Sequence, residues 1–402
     1  MPRHGALSAA RSFYRWVVVA AAFTLMFVGF AAAYSFAAFF HAFEAEFGAS
    51  RAHVALVFSV AAFVWFVSGA PGGVLADRFG PRRVALAGVA CLVSASWLAS
   101  VADSVTALYA TYSIGIGVGV GLVYVPSVGA VQPWFEEKRA LASGLAIAGI
   151  GAGNIAGPLL AAWWIERFDW RGAFVALAVF ILVLVGLAAI AIDVPPRRTD
   201  TARPGVPLRA AIRSRAFWLL YVSLALTCVG LFVPMVHLGP YAQDAGYTQT
   251  QGVTLVSLIG LGSLIGRFTI GTFADRLGRE RSLCLMYVGL GLMLLVWWTA
   301  SAYWLLALFA VTFGACYGAY VALLPTIVMD LYGERSVSGI IGFLYTGAGL
   351  GTLIGPWLAG AAYDALGSYD APILAGALLS FLAAACVVLL IPGEKTPTLH
   401  RG

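Results

Sequence analysis

The sequence predicts an all-α membrane protein, with twelve transmembrane helices arranged as two pseudo-symmetric six-helix bundles. Three observations carry this. The chain of 402 residues is 61% hydrophobic and 10% charged, with a mean hydropathy of +0.91, whereas a soluble domain carries roughly 25% charged residues. Its apolar residues fall into runs of the ~20 residues that a helix needs to cross a bilayer. One short charged loop is also written twice, as GVLADRFGPRR at 73–83 and GTFADRLGRER at 271–281, 198 residues apart.

The spans follow in order. Candidates cover roughly 16–40, 53–76, 84–102, 105–131, 140–165, 172–192, 216–243, 252–274, 282–300, 303–329, 336–362 and 371–391. None shows the strict alternation of a barrel strand, and an isolated strand cannot satisfy its backbone in lipid, so each reads as a helix. The basic N-terminus, MPRHGALSAARSFYR, precedes an apolar run that continues to Phe40, too long for a cleaved signal. A retained first span is expected. Numbering loops from a cytoplasmic N-terminus places 20 of the 24 Lys and Arg residues inside and three outside (Arg51, Arg167, Arg171), which predicts cytoplasmic termini. The net charge of +6 therefore reports loop orientation, not nucleic-acid binding. Tryptophans near span ends fit an interfacial belt.

The stretch DVPPRRTDTARPGVPLRAAIRSR (193–215) follows the sixth span. It reads as a linker between an N-terminal bundle, 1–192, and a C-terminal bundle, 216–402. The duplication extends beyond the loops. GIGAGNIAGP (149–158) aligns with GAGLGTLIGP (347–356) at the same offset, and Gly115, Gly119 and Pro126 pair with Gly314, Gly318 and Pro325 at 199. Small residues of this kind let helix backbones approach closely, and glycine-rich spans can also slide and bend.

The five cysteines lie in apolar runs, with neither a disulfide framework nor a metal cluster. No nucleophile–base pair or P-loop is present, which argues against an enzyme or an ATP-driven pump, and no cofactor is expected.

Arg267 lies near the middle of the eighth span, in LVSLIGLGSLIGRFTIGTFADR. A buried Arg costs at least about 2.5–3.5 kcal/mol on insertion scales and usually marks a pathway. Ser263 and Gly271 share its helix face. All 18 acids fall at span ends or in loops, so no midplane carboxylate can neutralise it. The missing partner is expected to be the substrate, and a planar guanidinium suits a carboxylate. The alternative is a structural Arg satisfied by carbonyls and water. His237 in the seventh span, between Pro234 and Pro240, suggests a broken helix with an accessible midsection; a satisfied core His is the competing reading. Tyr124 and Tyr317 occupy matching regions of the two halves and are candidate clamps for a carboxylate. Tyr34, Tyr320 and Tyr345 rank below them. Asn154 in the fifth span is polar and deep, and helix–helix hydrogen bonding explains it as easily as substrate binding.

The loop Gly-x-x-Ala-Asp-Arg-x-Gly, twelve spans and a central basic linker resemble the major facilitator superfamily along the whole chain. The start of the fifth span, WFEEKRALASGLAIAG (134–149), is similar to that of monocarboxylate porters, and the oxalate/formate antiporter group is also similar. One motif departs: the acidic-Gly-x-Trp-Gly-Trp run of eukaryotic monocarboxylate porters is replaced by GFAAAYSFAAFF (29–40), so the likeness is to bacterial members. The resemblance implies a transporter of the bacterial inner membrane. A span-seven His thirty residues before a span-eight Arg resembles the bacterial porters. Oxalate carriers would bring a second cation in span eleven; Tyr345 and Thr346 stand there with no cation, which argues for a monocarboxylate. Where eukaryotic relatives carry a coupling acid, this chain has Ser263. Proton symport would then use His237 or the substrate itself. The resemblance also implies that Asp77, Arg78, Asp275 and Arg276 form gating contacts that latch the outward-open state. The expected partners are a small organic anion, a proton and membrane lipid, and a monomer is expected. Competing readings are an anion exchanger, a carrier of another organic anion, and a membrane sensor that does not translocate.

Overall fold

The computed structural model describes residues 3–135, 139–192, 205–333 and 336–390. Eleven helices among these residues are long and apolar enough to cross a membrane. One of them, Leu141–Ala191, has 51 residues. At 1.5 Å per residue it measures about 77 Å, more than twice a hydrocarbon core of ~30 Å. It bends at Asp169, whose φ of 64° is left-handed and strained for a residue with a Cβ. The Asp169 carboxylate accepts from the Gly172 amide at 2.8 Å, capping the helix that follows. The long helix is therefore two crossings, and the twelve expected spans are all present.

In chain order, span 1 is Arg3–Tyr34 continued by Phe36–Phe47, span 2 Arg51–Phe79, span 3 Pro81–Ser100, and span 4 runs from Val105 to Val131. Spans 5 and 6 share Arg139–Ala191, and spans 7 to 12 are Arg215–Asp244, Gln249–Leu277, Arg279–Thr299, Tyr303–Tyr332, Val337–Leu366 and Asp370–Val388. Several helices outrun their apolar runs because their ends are capped. Ser50, Ser104, Ser214 and Thr248 each accept from an amide of the first turn, and Thr248 closes a capping box with Gln251. The outer faces stay apolar. On span 6, Val179, Leu182, Val183, Leu187 and Ile190 are each more than half exposed, which in water would be a liability and in lipid is the expected surface.

Spans 1 to 6 pack mainly among themselves, as do spans 7 to 12; the two sets meet chiefly where span 2 crosses span 11 and span 5 crosses span 8. The duplication is visible in the packing. Gly149, Gly153 and Gly157 of span 5 leave no room for a Cβ against the backbone of Phe23, Phe27 and Ala31 in span 1. Gly347, Gly351 and Gly355 of span 11 press in the same way on Tyr221, Ala225 and Val229 of span 7. Glycines and partners are both displaced by 198 positions.

The antiparallel spans 5 and 8 touch where Gly260 meets Asn154 and Ile155, and where Gly151 meets Leu264. Two turns further along the same register, Gly144 and Gly271 each have nothing within 4 Å of an added Cβ. The two spans thus diverge toward the end that carries the linker, while the opposite, far end is shut. Segment 193–204 of the expected linker lies outside the described residues. Beyond it, Gly205 bridges Gly333, and Leu208–Ile212 forms a short helix before span 7.

Candidate substrate site

Arg267 sits ten residues from the linker end of span 8, half-buried between the two halves. Its Nε donates to Ser263 Oγ one turn earlier, at 3.4 Å. Its Nη1 is buried and has no partner among the described residues. No carboxylate pairs with it among the described residues. Four phenols cluster at this part of the interface. Tyr34 of span 1 and Tyr317 of span 10 share a hydrogen bond of 3.1 Å across the halves. Tyr124 of span 4 faces Tyr345 of span 11, again across the halves. The guanidinium is near enough to act electrostatically on Tyr34, Tyr124 and Tyr345. Phe30 and Phe66 back the cage, meeting Tyr124 and Tyr345 edge to face at 5.7 and 5.6 Å.

Local structure positions these groups. Span 1 breaks at Ser35, just after Tyr34, and carbonyls near the break are taken up by Tyr112, whose hydroxyl donates to Ala32 and Ala33 at 3.2 and 3.0 Å. Tyr112 lies in a π-helical turn, Tyr109–Ile114, a feature that commonly re-aims side chains. Gly318 lets span 10 press onto the Ser263 carbonyl and sets Tyr317 beside span 8.

The remaining candidates fall elsewhere. Asn154 is buried where spans 5, 7 and 8 meet; its Nδ2 reaches the Met235 sulfur at 3.9 Å and its Oδ1 has no partner among the described residues. His237 is not brought together with Arg267. It lies seven residues before Asp244, whereas Arg267 lies eighteen after Gln249, so the two differ in depth by about 16 Å. Span 7 is an unbroken helix through Pro234 and Pro240, and His237 is fully buried. The expected broken, accessible midsection is therefore corrected. A transmembrane helix accommodates proline when neighbouring groups satisfy the freed backbone, so proline spacing alone does not mark a break. The ring of His237 is hydrogen-bonded at both nitrogens, Nδ1 to the Tyr369 hydroxyl at 3.0 Å and Nε2 to the Pro356 carbonyl at 2.8 Å. Tyr320 points away from the cage toward Cys228.

The duplicated loops share one geometry. Gly80 and Gly278 have φ of 88° and 92°, and their amides donate to Ala76 and Ala274 at 2.9 Å. Glycine is needed there because L side chains avoid that backbone region. Arg78 leans over the Phe79 ring, and the exposed Asp275 and Arg276 pair with no described residue. The side chain of Asp77 lies outside the described residues.

Twelve spans, paired six-helix sets and repeated loops are matched by known proteins. The family model described as Major Facilitator Superfamily matches residues 21–297 and 225–401. The chain belongs to the major facilitator superfamily. Within it, the chain is similar to Monocarboxylate transporter 3 of Rattus norvegicus, 31% identical over 392 residues, covering 93% of this chain and 78% of that protein. Monocarboxylate transporter 13 of the same species is 29% identical over 381 residues, covering 94% and 89%. The fold is shared with a crystal structure of a bacterial homolog to the human lysosomal transporter Spinster, described as inward-facing and unoccupied. The TM-score is 0.73 at 16% identity, over 94% of this chain and 96% of that one. The superfamily member described here is thus a multi-pass transporter of monocarboxylate type, not an enzyme.

Two elements of the interface carry little sequence signal. Tyr34 and Tyr345 ranked below Tyr124 and Tyr317, yet complete the cage. Arg51 counted only as one of three outside cations. Its signal was that rarity, since basic residues are scarce on that side.

Proposed function

We propose that this chain moves a small monocarboxylate of the lactate or pyruvate type across the bacterial inner membrane by alternating access, together with a proton. Both termini would be cytoplasmic, and the bundles 1–192 and 216–402 of a monomer would rock about the linker 193–215. The observation that carries this reading is the bare Nη1 of Arg267. A buried guanidinium that keeps an unused donor, ringed by four phenols from both halves, is a ready receptor for one carboxylate. Tyr34, Tyr124, Tyr317 and Tyr345 supply the other donors, and Asn154 helps hold spans 5 and 8 together at the edge of the site. Binding would neutralise Arg267 and draw the halves together across it.

For coupling, we propose His237 as the titrating group. Its neutral form must donate from Nε2 to Pro356, because that carbonyl can only accept, and must therefore accept at Nδ1 from Tyr369. A proton on Nδ1 would force that bond to reverse. The test is uptake of labelled lactate or pyruvate into proteoliposomes. An inward proton gradient should drive accumulation, and Arg267→Ala should abolish both uptake and the thermal stabilisation by ligand, which at 100-fold excess over Kd is ~2.7 kcal/mol. Uptake that ignores the gradient but needs internal anion would favour an exchanger of the oxalate/formate type. Undiminished transport by Arg267→Ala would refute the anchor.

A further inference from the structure

Arg51 opens span 2 at the far end, and four of its five guanidinium N–H groups are hydrogen-bonded there. Nη1 and Nη2 donate to the two oxygens of Asp244 at 2.6 and 2.8 Å, Nε donates to Glu44 at 3.2 Å, and Nη1 also donates to the Tyr369 hydroxyl at 2.8 Å. The guanidinium lies 3.9 Å over the Tyr363 ring. The amides of Arg51 and Ala52, the first of a helix, donate to the two oxygens of Asp364 at 3.0 and 2.9 Å. A carboxylate is favoured at that position, because the first amides of a helix lack intrahelical acceptors. Glu44 belongs to the same half as Arg51. Asp244, Tyr363, Asp364 and Tyr369 belong to the other. His41 also pairs with Glu44, at 2.6 Å.

We propose that Arg51 is the latch of the far end, the residue whose contacts define the closed state there and must be released in every transport cycle. The argument is one of charge and shape. Three carboxylates converge on one guanidinium and one helix terminus. Without the guanidinium they would repel each other and drive the halves apart. Gly360 of span 11 completes the fit: a Cβ there would come within 2.7 Å of the Ala52 amide nitrogen and the Arg51 carbonyl. Beyond the latch, polar contacts continue inward. Burial pushes the Tyr369 hydroxyl up from the ordinary phenol value, so it stays protonated and can accept from Arg51 while donating to His237. His237 in turn holds the Pro356 carbonyl in span 11. Release of Arg51 therefore loosens contacts that reach into spans 7 and 11.

The inference rests on alternating access but not on the identity of the substrate. Its test uses none. Spin labels at Asp103→Cys and Ser301→Cys, on far-end loops of opposite halves, report the opening of that end in reconstituted full-length protein. Arg51→Gln should raise the ratio of long to short distances by about tenfold or more, equivalent to ~1.4 kcal/mol and below the usual cost of breaking a buried ion pair. Asp244→Asn should shift it in the same direction, and Arg51→Lys by less than Arg51→Gln. Gly360→Ala should do so without changing any charge, which keeps the test independent of whether an Arg51 variant folds. Distance distributions unchanged in Asp244→Asn and Gly360→Ala would overturn the proposal.

Discussion

Arg51 and Arg267 bring the same guanidinium to the interface between the halves, one at its far end and one at its middle. The Arg51 guanidinium meets two carboxylates and two tyrosine rings, and its backbone amide meets a third carboxylate. Arg267 meets one serine hydroxyl and keeps a buried nitrogen without a partner among the described residues. Burial alone cannot explain the contrast, because a charge removed from water is costly at either place unless it is paired. The difference is what supplies the pairing. At the far end the protein supplies it from both halves, so the contact belongs to one conformation. At the middle no described residue supplies it, as the proposed carboxylate anchor requires. On the proposed reading, the paired charge reports the state of the transporter and the charge with a free donor its cargo.

The contrast can be broken most strongly at Arg267. Arg267→Lys keeps the charge and loses the planar fork. It should weaken apparent affinity for a monocarboxylate by about tenfold to a hundredfold, the worth of a hydrogen bond to a charged group at ~1.5–3 kcal/mol. Far-end distances in the absence of substrate should not move. Uptake kinetics and the same spin-label pair check the two halves of this statement; a shifted distance distribution would make Arg267 part of the latch. A smaller effect is expected at Tyr34→Phe, which removes the hydroxyl that meets Tyr317 across the halves. A neutral hydrogen bond is worth ~0.5–1.5 kcal/mol, so KM should rise by about twofold to tenfold. An unchanged KM would remove Tyr34 from the cage.

The fold was legible because its signals are one-dimensional. Apolar runs of sufficient length mark the spans, and a fixed 198-residue offset marks the repeat, down to Gly80 and Gly278 in the same left-handed turn. The isolation of Arg267 was legible for the same reason, since scanning the chain for acids needs no coordinates. What stayed hidden depends on which helices touch. The chain has 16 tyrosines, and nothing in their spacing separates Tyr34 and Tyr345, which face Arg267, from Tyr320, which does not. Arg51 looks like an ordinary loop cation in the sequence because its partners in the other half lie about 190 to 320 residues away, brought together only when spans 2, 7 and 11 pack. The difference in depth between His237 and Arg267 was hidden too, because a thirty-residue separation says nothing of depth once the chain has turned between spans.

The smallest effect should come from Asp275→Asn in the second copy of the repeated loop. Asp275 is exposed and unpartnered among the described residues, at the end where spans 5 and 8 diverge. A group that makes no contact in one conformation can bias the equilibrium only through the other. If closure of the linker end gives Asp275 an ion pair, removing its charge destabilises the state in which the far end is open. The shift should be opposite in sign to that of Arg51→Gln, with long far-end distances becoming rarer. An exposed pair is worth ~0.2–1 kcal/mol, so turnover should fall by no more than about fivefold. KM should stay within about twofold, because Asp275 touches nothing around Arg267 and an exposed site contributes little. Longer far-end distances in Asp275→Asn would show that the repeated loop already acts in the state described here, and would remove the opposition between the two ends.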